Sequence, residues 1–217
     1  VPPCSPRPCY TALVDGAVVA VGGTVLRKFL LPKTGGAAAS GNDLCGSGLR
    51  GATHAAELVS RAHCLSIVPD LGILIGLGDG AVELRDSNLD LVARHEVHKS
   101  AVSAVLALED GFVTGDDTGM VVRWKVEGES CQSLWTASHR GRVIAIQEGG
   151  GEAIVSGALD GTLRAWELET GAPRFMVWGH KAWFGSICVD GATMITDGRD
   201  NAVYSYDFSF GSVEPDV

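Results

Sequence analysis

The sequence predicts an all-β fold: a β-propeller of four-stranded antiparallel blades, about five of them. Three observations carry that prediction. The first is the stretch 154–171, IVSGALDGTLRAWELETG. Two short apolar runs flank Leu159-Asp160-Gly161, and an Asp-Gly between alternating apolar residues is the strongest short-range hairpin signal. The second is the recurrence of that stretch. FVTGDDTGMVVRWKVEG before it and MITDGRDNAVYSYDFS after it superpose without a gap through the hairpin. Ser156 then matches Thr114 and Thr196 at intervals of 42 and 40 residues, and Trp166 matches Trp124 and Tyr206 at the same intervals. The third is a histidine ahead of each hairpin: His98, His139 and His180 stand 41 residues apart. A period of about 20–50 residues marks a solenoid, propeller or array, and four short strands per period make one blade.

Taken in order, residues 1–8, VPPCSPRP, contain four prolines. Proline cannot donate to a strand ladder, so this segment reads as an extended lead-in to a propeller over 9–217. The first blade, 9–58, has strands at 9–13, 17–21 and 24–31, turning at Asp15-Gly16. Residues 32–51, PKTGGAAASGNDLCGSGLRG, offer little to bury and read as an exposed loop inserted between strands. Residues 52–59, ATHAAELV, then form the outer strand, although their Ala and Glu content also suits a helix. The second blade, 59–97, has strands at 64–68, 73–76, 81–85 and 91–97, with turns at Pro69-Asp70 and Asp79-Gly80. The third, 98–138, takes 102–108, 111–114, 120–126 and 131–136. The fourth, 139–179, takes 143–147, 153–157, 162–167 and 174–178. The fifth, 180–217, has only 184–189, 194–196 and 202–208, because the remaining SFGSVEPDV is too short for a fourth strand. With a start at Val1 instead of Met, that ending leaves two expectations open. One is a small ring that closes alone; the other is part of a larger, processed or truncated chain.

The final dipeptides of the units run Arg85-Asp86, Trp124-Lys125, Trp166-Glu167 and Tyr206-Asp207, and Trp178-Gly179-His180 opens the last unit. Over residues 9–209 the chain resembles the WD-repeat family of β-propellers, most closely over 98–208. The resemblance implies a structural network inside each blade: a turn Asp bonds the His, the His bonds a Ser or Thr, and that bonds the indole N–H. Carried over residue by residue, His139, Ser156, Asp160 and Trp166 fit completely. His180, Thr196, Asp200 and Tyr206 fit with Tyr for Trp. His98, Thr114 and Trp124 supply three members, with Thr118 at the turn position and Asp117 one place early. In the second unit Ile75 and Arg85 replace the Ser and the Trp, and no His stands at the expected place.

His139, Ser156 and Asp160 also contain the ingredients of a nucleophilic triad, which needs a Ser Oγ within reach of an oriented His beside an open cleft. The repeat argues against that use, since a catalytic site is rarely written three times in one small domain. The three histidines fall on separate blades with no thiolate or carboxylate cluster, which argues against a metal centre. An Asp-box hydrolase of the sialidase type would need Ser-x-Asp-x-Gly-x-x-Trp, and the spacing from Ser156 to Asp160 does not fit. No cofactor site is expected.

Bulk properties narrow the function further. The chain of 217 residues carries a net charge of −9. Its longest basic cluster, His139-Arg140-Gly141-Arg142, is too short for a phosphate-binding stripe, so direct nucleic-acid binding is not expected. No apolar run approaches the roughly 20 residues of a membrane-spanning helix. The six cysteines lack paired metal spacing and read as free thiols of an intracellular protein, cytoplasmic or nuclear, with Cys188 as a small buried apolar group in an inner strand. The resemblance implies a non-catalytic scaffold that docks partner proteins on one face. Its contact positions fall three after the His, at Ala101, Arg142 and Trp183, and just before the turn position, at Gly78, Asp117, Leu159 and Arg199. Trp183 and Arg142 stand out, because aromatics and arginines dominate interface hot spots.

Overall fold

The computed structural model describes residues 9–14, 17–30, 52–68, 71–128, 130–149, 152–178, 187–190, 193–197 and 203–207. These residues form five antiparallel sheets, each a simple meander. The first holds β1 (Cys9–Val14), β2 (Ala17–Gly22), β3 (Val25–Leu30) and β4 (Ala52–Glu57). The second holds β5 (Ala62–Val68), β6 (Gly72–Leu77), β7 (Ala81–Arg85) and β8 (Leu91–Glu96). The third holds β9 (Val102–Leu108), β10 (Gly111–Asp116), β11 (Met120–Glu127) and β12 (Ser130–Ser138). The fourth holds β13 (Val143–Gly149), β14 (Ala153–Ala158), β15 (Leu163–Glu167) and β16 (Pro173–Val177). The fifth has β17 (Ile187–Asp190), β18 (Thr193–Asp197) and β19 (Val203–Asp207). Among the described residues no helix is long and apolar enough to cross a membrane.

Every residue of β6 and β14 is buried, so the sheets that hold them are covered on both faces and the sheets stack face to face. Val19, Val21 and Leu26 of the first pack on Ile73, Ile75 and Leu77 of the second. Leu74 and Val82 meet Val102, Val105 and Phe112 of the third. Val113, Val121 and Trp135 meet Val143, Ile146, Ile154 and Trp166 of the fourth, and Val155, Leu163 and Ala165 meet Ile187 and Met194 of the fifth. The leading strands β1, β5, β9, β13 and β17 touch in chain order. Among the described residues β17 makes no comparable contact with β1, so the row of sheets does not close.

Two local features repeat from sheet to sheet. The pairing of the third and fourth strands shifts register at Lys28/Phe29, Leu84/Arg85, Arg123/Trp124 and Ala165/Trp166. A bulge at one fixed place gives Phe29, Arg85, Trp124 and Trp166 equivalent positions. The turns between second and third strands carry glycines at positive φ, 90° at Gly80 and 97° at Gly119. A Cβ on Gly80 would lie 2.2 Å from the His98 carbonyl oxygen, and one on Gly119 2.6 Å from that of His139. The chain entering the next sheet passes so close that only glycine fits.

Residues 52–57 are a strand, not the alternative helix. Cys188 departs from expectation. It lies on β17 but is exposed, because Ile187, its neighbour, occupies the face against the fourth sheet. Strand alternation then turns the thiol outward. Cys64, Cys131 and Cys188 are all free thiols. The lead-in 1–8, the insertion 32–51 and the end after β19 lie outside the described residues.

Candidate functional site

The fourth sheet brings His139, Ser156, Asp160 and Trp166 together. Trp166 Nε1 donates to Ser156 Oγ at 2.8 Å, and Ser156 Oγ lies 2.8 Å from His139 Nε2. His139 Nδ1 is 3.0 Å from Thr162 Oγ1, which donates to Asp160 Oδ1 at 2.7 Å. The protons can be assigned without conflict: indole to serine, serine to His139 Nε2, Nδ1–H to threonine, threonine to carboxylate. Asp160 therefore reaches the histidine through Thr162, its own oxygen being 3.6 Å from Nδ1. Asp160 also accepts from the backbone N–H groups of Thr162 and Arg140. Ser156 has no exposed surface and His139 almost none, so no substrate atom reaches the serine oxygen. Burial depresses the His139 pKa to about 4; Asp160 opposes the shift and Arg164 adds to it. The ring is neutral at pH 7.

The third sheet brings together His98, Thr114 and Trp124, with an acid that sequence alignment does not select. Trp124 Nε1 donates to Thr114 Oγ1 at 2.8 Å, and His98 Nε2 is 2.7 Å from the same oxygen. The acid is Asp116, 3.1 Å from His98 Nδ1, and not Thr118 or Asp117. Asp116 Oδ1 accepts from the backbone N–H and hydroxyl of Thr118 and from the N–H of Met120. The carboxylate has moved two residues back along the turn, and its oxygen still reaches the ring. Asp117 points outward instead. In the fifth sheet Thr196 is buried and its hydroxyl has no partner among the described residues. His180, Asp200, Trp183 and Arg199 lie outside them.

The second sheet, which lacks the histidine, fills the same space with charge. Arg85 stands at the tryptophan position and donates to Glu83 Oε2 from Nη2 at 2.7 Å and from Nε at 3.0 Å. It also donates to the carbonyl of Leu89, and Arg94 caps the other oxygen of Glu83 at 2.9 Å. Glu83 has no exposed surface. Sequence reading marks Arg85 as a departure but not Glu83, whose partner is two residues away on the same strand face.

The solvent-facing candidates gather at one end of the sheets. One backbone bond recurs there: Gly78 N–H to Arg61 O at 2.8 Å, Asp117 N–H to Ala101 O at 3.1 Å, and Leu159 N–H to Arg142 O at 2.8 Å. It makes Arg61, Ala101 and Arg142 equivalent at the starts of the leading strands, and Gly78, Asp117 and Leu159 equivalent in the facing turns. Counting from the histidine finds Ala101 and Arg142 but misses Arg61, since the second unit has no histidine. The histidine period of 41, stepped back from Ala101, falls on Ser60, one residue short of it. Arg142 Nε pairs with Asp117 Oδ1 at 3.0 Å. Arg61 is exposed and its guanidinium makes no hydrogen bond or ion pair among the described residues. His63 sits beside them: a Cβ on Gly78 would lie 3.1 Å from its Nε2. Partial burial lowers the His63 pKa; Arg142 and Arg61 also push it down and Asp117 opposes them.

The meander puts alternate turns at opposite ends. The upper end, where leading strands begin, carries exposed Arg61, Lys99 and Arg140 beside Arg142, together with exposed Glu57, Asp79, Glu96 and Asp117. The lower end carries exposed Asp90, Glu109, Glu127, Glu148, Glu152 and Glu169. Among the described residues no group of three His, Cys, Asp or Glu is placed to hold a metal.

No family model and no curated protein matches this chain. Solved structures do match. The chain is similar to the computationally designed Ika8 protein, with a TM-score of 0.70 and 21% identity over 91% of this chain and 57% of that one. It is similar also to the computationally designed Ika4 protein, with a TM-score of 0.62 and 23% identity over 70% of this chain and 93% of that one. The chain thus spans a little over half the length of the first. At such identity the likeness is one of fold alone: a propeller-like array of antiparallel sheets.

Proposed function

We propose that this chain is a WD-repeat propeller of about five blades, intracellular, that docks a partner protein on the upper end of its sheets and performs no chemistry itself. The observation that carries the reading is the division of polar groups. Of the groups a hydrolase would use, Ser156 and His139 are buried and bonded to each other, and half-buried Asp160 is held by Thr162. The exposed and half-buried groups that vary between sheets, Arg61, Ala101 and Arg142 with Gly78, Asp117 and Leu159, sit on one repeated backbone frame. A constant frame with variable exposed residues suits recognition of another surface. Sequence spacing adds Trp183 and Arg199 to the same set.

A photo-crosslinking amino acid tests the face. Placed at Ala101 it should capture a partner in cell extract, and placed at Glu109, at the lower end, it should not. Equal capture from both positions would sink the assignment of the face. Trp183→Ala should weaken the captured complex without moving the thermal melt. Hydrolysis of a synthetic glycoside, which we expect to be absent, would reopen the enzyme reading.

A second reading, that these sheets belong to the propeller of a larger protein, is favoured by the open row of sheets and the match to 57% of the Ika8 chain. Light scattering with a thermal melt separates the two. A sharp melt at the mass of one chain supports independent closure, and association supports the larger propeller.

A further inference from the structure

We propose that the upper end takes an acidic segment of the partner protein, with one Asp or Glu carboxylate seated between Arg61 and Arg142. This rests on the docking reading above and adds the chemistry of what docks. Three sheets contribute. Arg61 and His63 come from the start of β5, Ala101 and Asp117 from the third sheet, and Arg142 from the start of β13. Gly78 and Ala101, which have no side chain or only a methyl group, lie between the two arginines in the repeated frame, so the gap between them has a low floor.

The charges there do not balance. Two guanidinium groups face one carboxylate, Asp117. Asp117 engages Arg142 through Nε, and the two terminal nitrogens of Arg142 make no hydrogen bond among the described residues. Those nitrogens form the edge that meets a carboxylate in two parallel bonds. Asp117 thereby fixes the fork of Arg142, and Arg61 is unengaged on the other side. A second carboxylate between them completes the balance.

The rest of the molecule favours a short acidic peptide over a nucleic acid. The net charge of −9 and the acidic lower end would repel a long polyanion. A single acidic stretch, by contrast, need only satisfy charges within about one Debye length, ~8–10 Å.

The test uses the whole chain and a fluorescein-labelled hexaglutamate peptide, followed by anisotropy at low ionic strength, with hexaglutamine as the neutral control. Hexaglutamate should bind and hexaglutamine should not. Arg61→Ala with Arg142→Ala should weaken binding at least tenfold with an unchanged melt. Asp117→Asn, which removes the competing internal carboxylate, should tighten it several-fold. Should the double substitution disturb folding, Arg61→Gln suffices, since the Arg61 side chain has no hydrogen bond or ion pair within the described residues to lose; it should weaken binding at least threefold. Binding that ignores both arginines, or that hexaglutamine equals, overturns the proposal. So does a labelled oligothymidylate of equal charge that binds more tightly through the same arginines. A partner captured at Ala101 without hexaglutamate binding overturns the acidic chemistry and leaves the docking reading intact. Arginine-dependent hexaglutamate binding with no capture at Ala101 does the reverse.

Discussion

At the scale of single residues, stability turns on buried polar groups that are useful only while all of them are paired. Asp160 accepts from Thr162, from its N–H and from that of Arg140. Asp160→Ala leaves those donors without an acceptor, at a cost of about 1–3 kcal/mol. In a chain of this size that lowers the melting temperature by several degrees; an unchanged melt would remove Asp160 from the network. His139 makes a pH prediction. Its folded pKa, about 4, lies below the ordinary histidine value because the ring is buried. Between pH ~6.5 and pH ~4 the unfolded chain binds a proton that the folded chain does not, so stability falls as pH falls through that window. The loss reaches about 3 kcal/mol at most. His98 is shifted in the same direction, by burial that Asp116 partly opposes. His139→Gln should flatten the acid side of a melting-temperature profile, and an unaltered slope would contradict the assigned burial of a neutral ring. The thiols separate in the same way. Burial raises Cys64 to about 12, while Cys188 is exposed. Mass-spectrometric labelling with iodoacetamide should mark Cys188 in the native chain and Cys64 only after unfolding.

At the scale of elements, one turn and one ion pair invite substitution. Gly119→Ala places a Cβ 2.6 Å from the His139 carbonyl at a φ of 97°. Neither the backbone nor the neighbour can give way cheaply, so we expect a loss well above the ~1 kcal/mol typical of a point change. A melt within a degree of the parent would mean the next sheet's leading chain had moved aside. Glu83→Ala should be as damaging, about 3–5 kcal/mol, because it leaves the buried Arg85 guanidinium without its carboxylate. Much of each element was legible in the chain. The hairpin around Asp160-Gly161 announces itself by turn chemistry and alternation, and the tryptophan spacing places its copies. The exchange of Thr118 for Asp116 was not legible, since hydrogen bonding asks where an oxygen ends up and not which position holds it. Nor was Glu83, because a lone acid in a strand looks exposed until its partner is seen.

At the scale of the whole molecule, the stacking of the sheets decides which exposed groups stand together at each end. The upper end keeps Arg61 exposed and Arg142 half-buried on a repeated frame. Added salt should therefore weaken partner binding at the upper end, measured as a falling association rate between 50 and 300 mM salt on the order expected for screened charges. A rate insensitive to salt would point to apolar contact, through Leu159, as the main force.

The sequence by itself determined the all-β class, the strands and the repeat that makes neighbouring units equivalent. Period, turn residues and alternation are local properties, and each can be read along the chain. Only the tertiary structure decided which acid closes each network, which face of β17 hides its side chains, and that Arg61 joins Arg142 across three sheets. Those outcomes depend on distances between residues far apart in the chain. Such distances exist only once the sheets have stacked.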